Sequence, residues 1–368
     1  MRVIYIGMSS QNRQLGQKLI GETQNFEEEK EMKKALALLL VVVLVASLAA
    51  CGGGGGGGND SDTTTLVFGN VSLDAGIAGG DLFAEVAYRE SGGTLIIEMH
   101  HNNSLGDDRT QVESTVFGDV DIVASSTSPI AQMYADFFVF DAPFLFFDRT
   151  EADYITQGPI GREILDGMES IGLKGLGFME NGFRHFTGSH PVYTPADVAG
   201  VTIRTMENAM HMAAWRAFGA NPTPMAMTEV FTALQQGTID AQENTMGSID
   251  GFALFEIQPH ISMTGHIYTP FFIAMNLDAW NALSPEHQNA ITVATQAMIE
   301  LNNQMTIELY DVFIETWQTE NGVTFHWPSD AQKQQFADLA EADGVLDTIR
   351  GEMDHPEFVD RILAALGR

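Results

Sequence analysis

Beyond Cys51, this 368-residue chain contains no further cysteine, and it holds only two lysines there, Lys174 and Lys333, against ten arginines. Without a second thiol, no disulfide can staple the fold, and a lone Cys51 near the N-terminus offers the body of the protein no catalytic thiolate. Positive charge is scarce throughout: 18 Lys and Arg stand against 49 Asp and Glu, a formal net charge of −31. Such a surface excludes nucleic acid and anionic lipid headgroups as partners. Its far field also repels anions, so it does not exist to gather an anionic substrate. A solvated surface suited to high ionic strength is the expectation, because salt screens that self-repulsion. Also missing are a Gly-rich phosphate loop, a Gly-x-Ser-x-Gly elbow and a His-Glu-x-x-His zinc motif. Nothing in the residues points to an enzyme, a cofactor or a metal. His100-His101 would fall on opposite faces of a strand, where one ion cannot easily take both.

What is present begins with an export signal. Lys33-Lys34 precede the apolar run Ala35–Ala46, then Ser47-Leu48-Ala49-Ala50-Cys51. The apolar run is shorter than the ~20 residues that span a bilayer. A basic start, an apolar middle and small residues before a cleavage point make a secretory signal over residues 32–50. Leu-Ala-Ala-Cys resembles a bacterial lipobox, which implies lipidation of Cys51 and a periplasmic, membrane-anchored product. Residues 51–64 include the glycine run Gly52–Gly58 and read as a flexible tether, with a reach of roughly 20 Å for about 13 residues. Glu27-Glu-Glu-Lys30 just before Met32 looks like a translated ribosome-binding site, so residues 1–31 are expected to be an upstream extension with no fold.

Folding is expected to start at Leu66. Strands are read at Leu66–Gly69, Thr94–His100, Val120–Ser125, Lys174–Phe178, Val201–Arg204 and Thr238–Ala241, with helices between them. This alternation argues for open α/β sheets. Ser284-Pro-Glu-His opens a helix by capping chemistry. Apolar residues from Ile291 to Trp317 keep helical spacing until Asn321-Gly322. At about 35 residues this helix is ~50 Å long, more than one lobe is wide, and is expected to tie two lobes together. The last 40 residues read as two shorter helices separated around Gly351–Pro356. Phe140–Phe147 is too apolar to stand in water and reads as core.

Three segments stand out together: Glu180-Asn-Gly-Phe-Arg-His185, Gly200-Val-Thr-Ile-Arg-Thr-Met-Glu-Asn208, and Asn221–Gly237 leading into Thr238-Ile-Asp-Ala-Gln-Glu-Asn244. With Ser104-Leu-Gly-Asp-Asp-Arg109, Phe140-Asp-Ala-Pro-Phe-Leu-Phe146 and Met263-Thr-Gly-His266, they resemble the solute-binding proteins of tripartite ATP-independent periplasmic (TRAP) transporters, in the branch that takes C4-dicarboxylates and other organic acids. The resemblance runs from about Leu66 to the end of the long helix. It implies an α/β, two-lobe periplasmic-binding-protein-like fold with a ligand cleft between the lobes and a long bridging helix. Lobe I would comprise residues 65–182 plus about 271–310, and lobe II residues 183–270 plus about 311–368.

By the same resemblance, Arg204 grips the carboxylate of a small organic acid, and Arg184 and Asn244 reach it or lie beside it. Ser126, Thr127 and Met227 are implied as further contacts. The family usually shows Asp-Gly-x-Glu-Asn-Pro where this chain has Ala241 for the glycine and Thr245 for the proline. A guanidinium suits the role because it offers two parallel donors to a carboxylate. Taken alone, an arginine after a strand is more commonly a surface ion-pair partner; the motif carries the assignment. Glu229 and Glu243 are expected to brace helix ends or an arginine, and His266 and Tyr268 to line a hinge or pack in the core. The partners implied are the ligand and the membrane subunits of a transporter. A lipoprotein that senses ligand and signals without transport is the alternative.

Overall fold

The computed structural model describes residues 63–368; the extension, signal, Cys51 and nearly all of the tether lie outside the described residues. Eleven strands form among them. The first four are β1 (Thr64–Asn70), β2 (Leu95–His100), β3 (Ile122–Ser126) and β4 (Leu173–Met179). Next come β5 (His185–Gly188), β6 (Thr202–Thr205), β7 (Asn221–Pro224) and β8 (Ala241–Asn244). The last are β9 (His260–Ser262), β10 (Phe271–Asn276) and β11 (Thr324–His326).

They make two mixed sheets, one ordered β2-β1-β3-β10-β4 and the other β11-β9-β5-β8-β6-β7. In the first, β1 runs parallel to β2 and β3, while β10 is antiparallel to β3 and β4. Strand β3 is buried along its whole length, as a central strand covered on both faces must be. The chain leaves the first sheet at the end of β4, enters the second as β5, and returns to the first as β10. These two crossings pair with each other: Arg184 N donates to Ile267 O at 2.8 Å and Thr269 N to Gly182 O at 3.2 Å, with Phe183 opposite Tyr268 in an antiparallel bridge.

The long helix runs Pro285–Glu320, capped as the sequence predicts by the Ser284 side chain, which accepts from His287 N. Its first half, Ala290 to Ile299, is buried in an apolar cluster with Phe68, Phe83 and Met275 of the first sheet's side. Its second half gives Phe313 and Trp317 to a separate cluster with Val230, Ile261 and Phe325 around the second sheet. At its middle, Asn302 Nδ2 donates to Glu180 O and Asn303 Oδ1 accepts from Glu180 N, at 2.8 and 2.7 Å. The helix therefore ties both sheets and pins the crossing between them. A third cluster, with Phe137, Phe140, Phe178, Phe186, Trp215 and Phe336, draws on both sides.

Three readings need correction. The strand expected at Thr238–Ala241 lies three residues later, at Ala241–Asn244, because Gly237 and the residues after it finish the preceding helix turn. The C-terminal region forms three helices, Asp330–Ala342, Val345–Glu352 and Glu357–Ala365. The extra break falls at Gly344, whose φ of 69° suits glycine and ends the first of them. Phe140 and Phe146 are core, but Phe147 is 65% exposed, with the Arg368 guanidinium over its ring.

Candidate functional site

A cavity of about 380 Å³ opens where the crossings meet the strand ends, within the roughly 300–1,000 Å³ common for small-molecule sites. Arg204, Arg184, Asn244, Ser126 and Met227 line it. Thr127, expected beside Ser126, is not in the lining: it is fully buried, and both its N–H and its hydroxyl turn to Pro270 O on the return crossing.

Arg204 stands near the end of β6 and is 2% exposed. Its Nε and Nη2 both donate to Met225 O, at 2.8 and 2.5 Å, which fixes the guanidinium plane. Nη1 is buried with no partner. Burial, reinforced by the neighbouring Arg184 charge, pushes its pKa down to about 10. The group stays cationic at neutral pH, but in a setting that penalises its charge and leaves one donor nitrogen unmet. An anion would relieve both.

Arg184 is differently placed. It is 1% exposed and its Nε and Nη2 reach the two Glu243 carboxylate oxygens at 2.5 and 3.0 Å, with Nη2 also on Glu243 O at 2.7 Å. Burial alone would raise the Glu243 carboxyl, but Arg184, His211 and His266 hold it well below the usual carboxylate range. His266 Nε2 is 3.0 Å from Glu243 Oε2. His211 Nδ1 lies 3.6 Å from Glu243 Oε1, too long for a hydrogen bond but close enough for charge attraction. Glu243 thus braces an arginine, as read from sequence, and Arg184 reaches the lining already neutralised.

The same network crosses between the sheets. Asp141 accepts from Asn208 Nδ2 at 2.6 Å and from Ser128 Oγ, and lies 3.0 Å from His211 Nε2. Despite burial, Asp141 and Glu243 raise the His211 pKa. Ser128 and Asp141 follow β3, whereas Asn208, His211 and Glu243 belong with β6 and β8. This polar chain links the two sides, with His211 Nδ1 left without a hydrogen-bond partner.

Asn244 is 5% exposed and pairs with His185 across β5 and β8. Thr245 N donates to Asn244 Oδ1 at 3.0 Å, a bond that the family's proline, lacking an N–H, would not make. The Thr245 hydroxyl donates to Asn181 Oδ1 on the crossing at 2.9 Å. The Asn244 amide nitrogen is left with the Met227 sulfur at 3.3 Å, a weak acceptor that a carboxylate oxygen outcompetes. The Ser126 hydroxyl is buried without a partner, and its N–H donates to Asp108 Oδ1 at 3.0 Å. Glu229 is exposed in the first turn of the helix Met227–Gln235.

Sequence reasoning missed a second braced cation in the lining. Arg149 Nε is 3.0 Å from Glu180 Oε1, and Tyr268 OH donates to Glu180 Oε2 at 2.6 Å. Tyr268 therefore belongs to the hinge. The only signal was Asp148-Arg149 directly after the aromatic run, where Asp148 caps the next helix. Of the histidines on β2 and beyond, His100 lies 3.1 Å from Glu98 and His101 3.0 Å from Asp81.

Two mixed α/β sheets joined by paired crossings, with an unsatisfied cation in the cleft between them, define a two-lobe binding protein of the periplasmic type. The chain belongs to the DctP family, bacterial extracellular solute-binding protein family 7, whose profile matches residues 75–343. A solute-binding protein of Verminephrobacter eiseniae is 39% identical over 223 residues, 60% of this chain and 67% of that one. The sugar acid binding protein DctPAm of Advenella mimigardefordensis, solved with galactonate, superposes with a TM-score of 0.78 at 29% identity, covering 83% of this chain and 98% of that one. A TRAP periplasmic solute-binding protein of Shewanella oneidensis, solved with succinate, gives 0.78 at 26% identity, covering 82% and 99%.

Proposed function

We propose that this protein captures a small carboxylate-bearing organic acid outside the cytoplasm and delivers it to the membrane subunits of a TRAP transporter, from a lipid anchor at Cys51. The observation that carries the reading is Arg204: a buried guanidinium, held by Met225 O, with Nη1 unmet inside the cleft. A carboxylate arriving there makes a charge-assisted pair away from water, contributing about 1.5–3 kcal/mol net. A micromolar dissociation constant needs about 8 kcal/mol, so Asn244, Ser126 and the apolar wall at Met227 must add to it.

The work is a conformational cycle rather than bond making. Lobe I, taken as residues 65–182 plus about 271–310, and lobe II, as 183–270 plus about 311–368, close on the ligand. A ligand shifts that balance only by its differential affinity for the closed form. Thermal melting with a panel of organic acids tests the reading, since a ligand that binds only the folded state raises the melting temperature. A rise with at least one acid, followed by recovery of that acid unchanged, is the expected result. No shift with any carboxylate, or recovery of a converted product, would discard it. Retention of lipid on Cys51 in membranes, lost in Cys51→Ala, tests the anchor.

A further inference from the structure

We infer that Asp74 reads hydroxyl groups of the ligand, so that the cleft selects a polyhydroxylated monocarboxylate over an unsubstituted dicarboxylate. The inference rests on the carboxylate site at Arg204 proposed above and names its substrate class.

Asp74 occupies the N-cap position of the helix Ala75–Glu90, where an aspartate side chain ordinarily accepts from the first turn's N–H groups. This one makes no such bond. The N–H groups of Ile77 and Ala78 donate instead to the Asp74 main-chain oxygen. Its backbone sits at φ 42° and ψ −100°, a strained conformation for any residue with a Cβ. Asp74 lines the cavity, and its Oδ2 is buried and unpartnered. A buried carboxylate oxygen without a donor is costly, and a ligand N–H or O–H removes that cost.

Two other unmet groups in the lining set the ligand's charged end. Arg204 Nη1 and Ser126 Oγ, both on residues at least nine-tenths buried, are unmet in the same cavity. The ligand must then carry an anion for Arg204 and hydrogen-bond donors for Asp74. A second carboxylate fits poorly there: it has no proton to give Asp74, and Asp108 and Glu207 already lie near Arg204. An ammonium would also satisfy Asp74 as a charge-assisted donor, so a zwitterion is the competing occupant that binding must exclude. Asp74 follows β1 of the first sheet and Arg204 lies on β6 of the second, so a ligand that satisfies both also links the two lobes.

Calorimetry on the intact protein with galactonate and with succinate tests this. Galactonate should bind at least tenfold more tightly, and Asp74→Asn should bring the ratio of the two affinities toward one. Asp74→Gly, which accepts the positive φ, provides the same reading if the asparagine variant folds poorly. Succinate binding as tightly as galactonate overturns the inference while leaving the carboxylate site intact; Lys333 on the His185 side of the cavity is where its second carboxylate would then sit. Tight binding of a zwitterionic amino acid in place of either acid also overturns it. If no carboxylate binds, the failure belongs to the Arg204 site itself.

Discussion

Arg184 and Arg204 line the same cavity and are buried alike, yet the chain uses them in opposite ways. Arg184, on the crossing into β5, is matched by Glu243, whose carboxylate two histidines also face. Arg204, on β6, has a main-chain carbonyl for a partner and one nitrogen left over. The first is a finished interaction and holds the frame; the second is unfinished, as the proposed anion site requires. Burial and residue type do not separate a satisfied arginine from an unsatisfied one here. Partner chemistry does.

The sharpest way to break that contrast is to remove each arginine in turn. Arg184→Ala leaves Glu243 buried and without its strongest partner. Losing one member of a buried ion pair costs about 3–5 kcal/mol, so the denaturant midpoint should fall steeply, with the folded state lost before binding can be measured cleanly. Restoring most of that stability by adding Glu243→Gln to the same chain would show that the stranded carboxylate is the cause. A midpoint unchanged by Arg184→Ala would erase the distinction. Arg204→Met should behave the other way. It removes a charge that burial already disfavours and gives up the bonds to Met225 O, so stability should shift by no more than about 1 kcal/mol in either direction. Affinity for the ligand should drop about 10- to 100-fold, matching ~1.5–3 kcal/mol. Arg204→Lys should lose nearly as much, because an ammonium cannot present the fork. Calorimetry and denaturant curves on the same samples separate the two effects.

The sequence made some of this legible and some not. The capping signal at Ser284 and the spacing from Ile291 to Trp317 marked the long helix, because propensity, capping and periodicity agree there. Arg204 and Asn244 could be singled out only through motif context; nothing in a lone arginine says whether its partner is a carbonyl or a carboxylate. That Arg184 would be consumed by Glu243 depends on β5 and β8 pairing antiparallel with Phe186 opposite Glu243, a register set by tertiary packing. Thr127 illustrates the reverse. It adjoins Ser126 in sequence, but the chain turns between them, and Thr127 is drawn to the hinge carbonyl of Pro270. Asp74 carried no signal, since an aspartate before a helix reads as an ordinary cap until the backbone shows that it is not one.

The smallest expected effect concerns the second sheet's own facing acid. Asp250, on the helix Met246–Gly251, has its pKa pushed up from 3.8 to about 6, first by burial and then by the Asp74 charge, against a hydrogen bond from Trp317 Nε1 at 3.0 Å. A carboxyl raised in the folded state holds its proton more tightly there than in the unfolded chain. Its effect on stability is therefore unfavourable to the ionised form, growing as pH rises from about 4 to about 6 and constant above that. Asp250→Asn keeps an acceptor for Trp317 and carries no charge. The variant should melt above the parent at about pH 7.5, and the gap should close at about pH 4, where the parent's Asp250 is protonated in the folded protein. Asp74→Asn should recover part of the same gap, since its charge is the second contribution. Melting curves of the three proteins at both pH values and matched ionic strength decide it: a gap of equal size at the two pH values would mean that Asp250 does not titrate in this window, and that the two lobes do not set like charges against each other at the cleft.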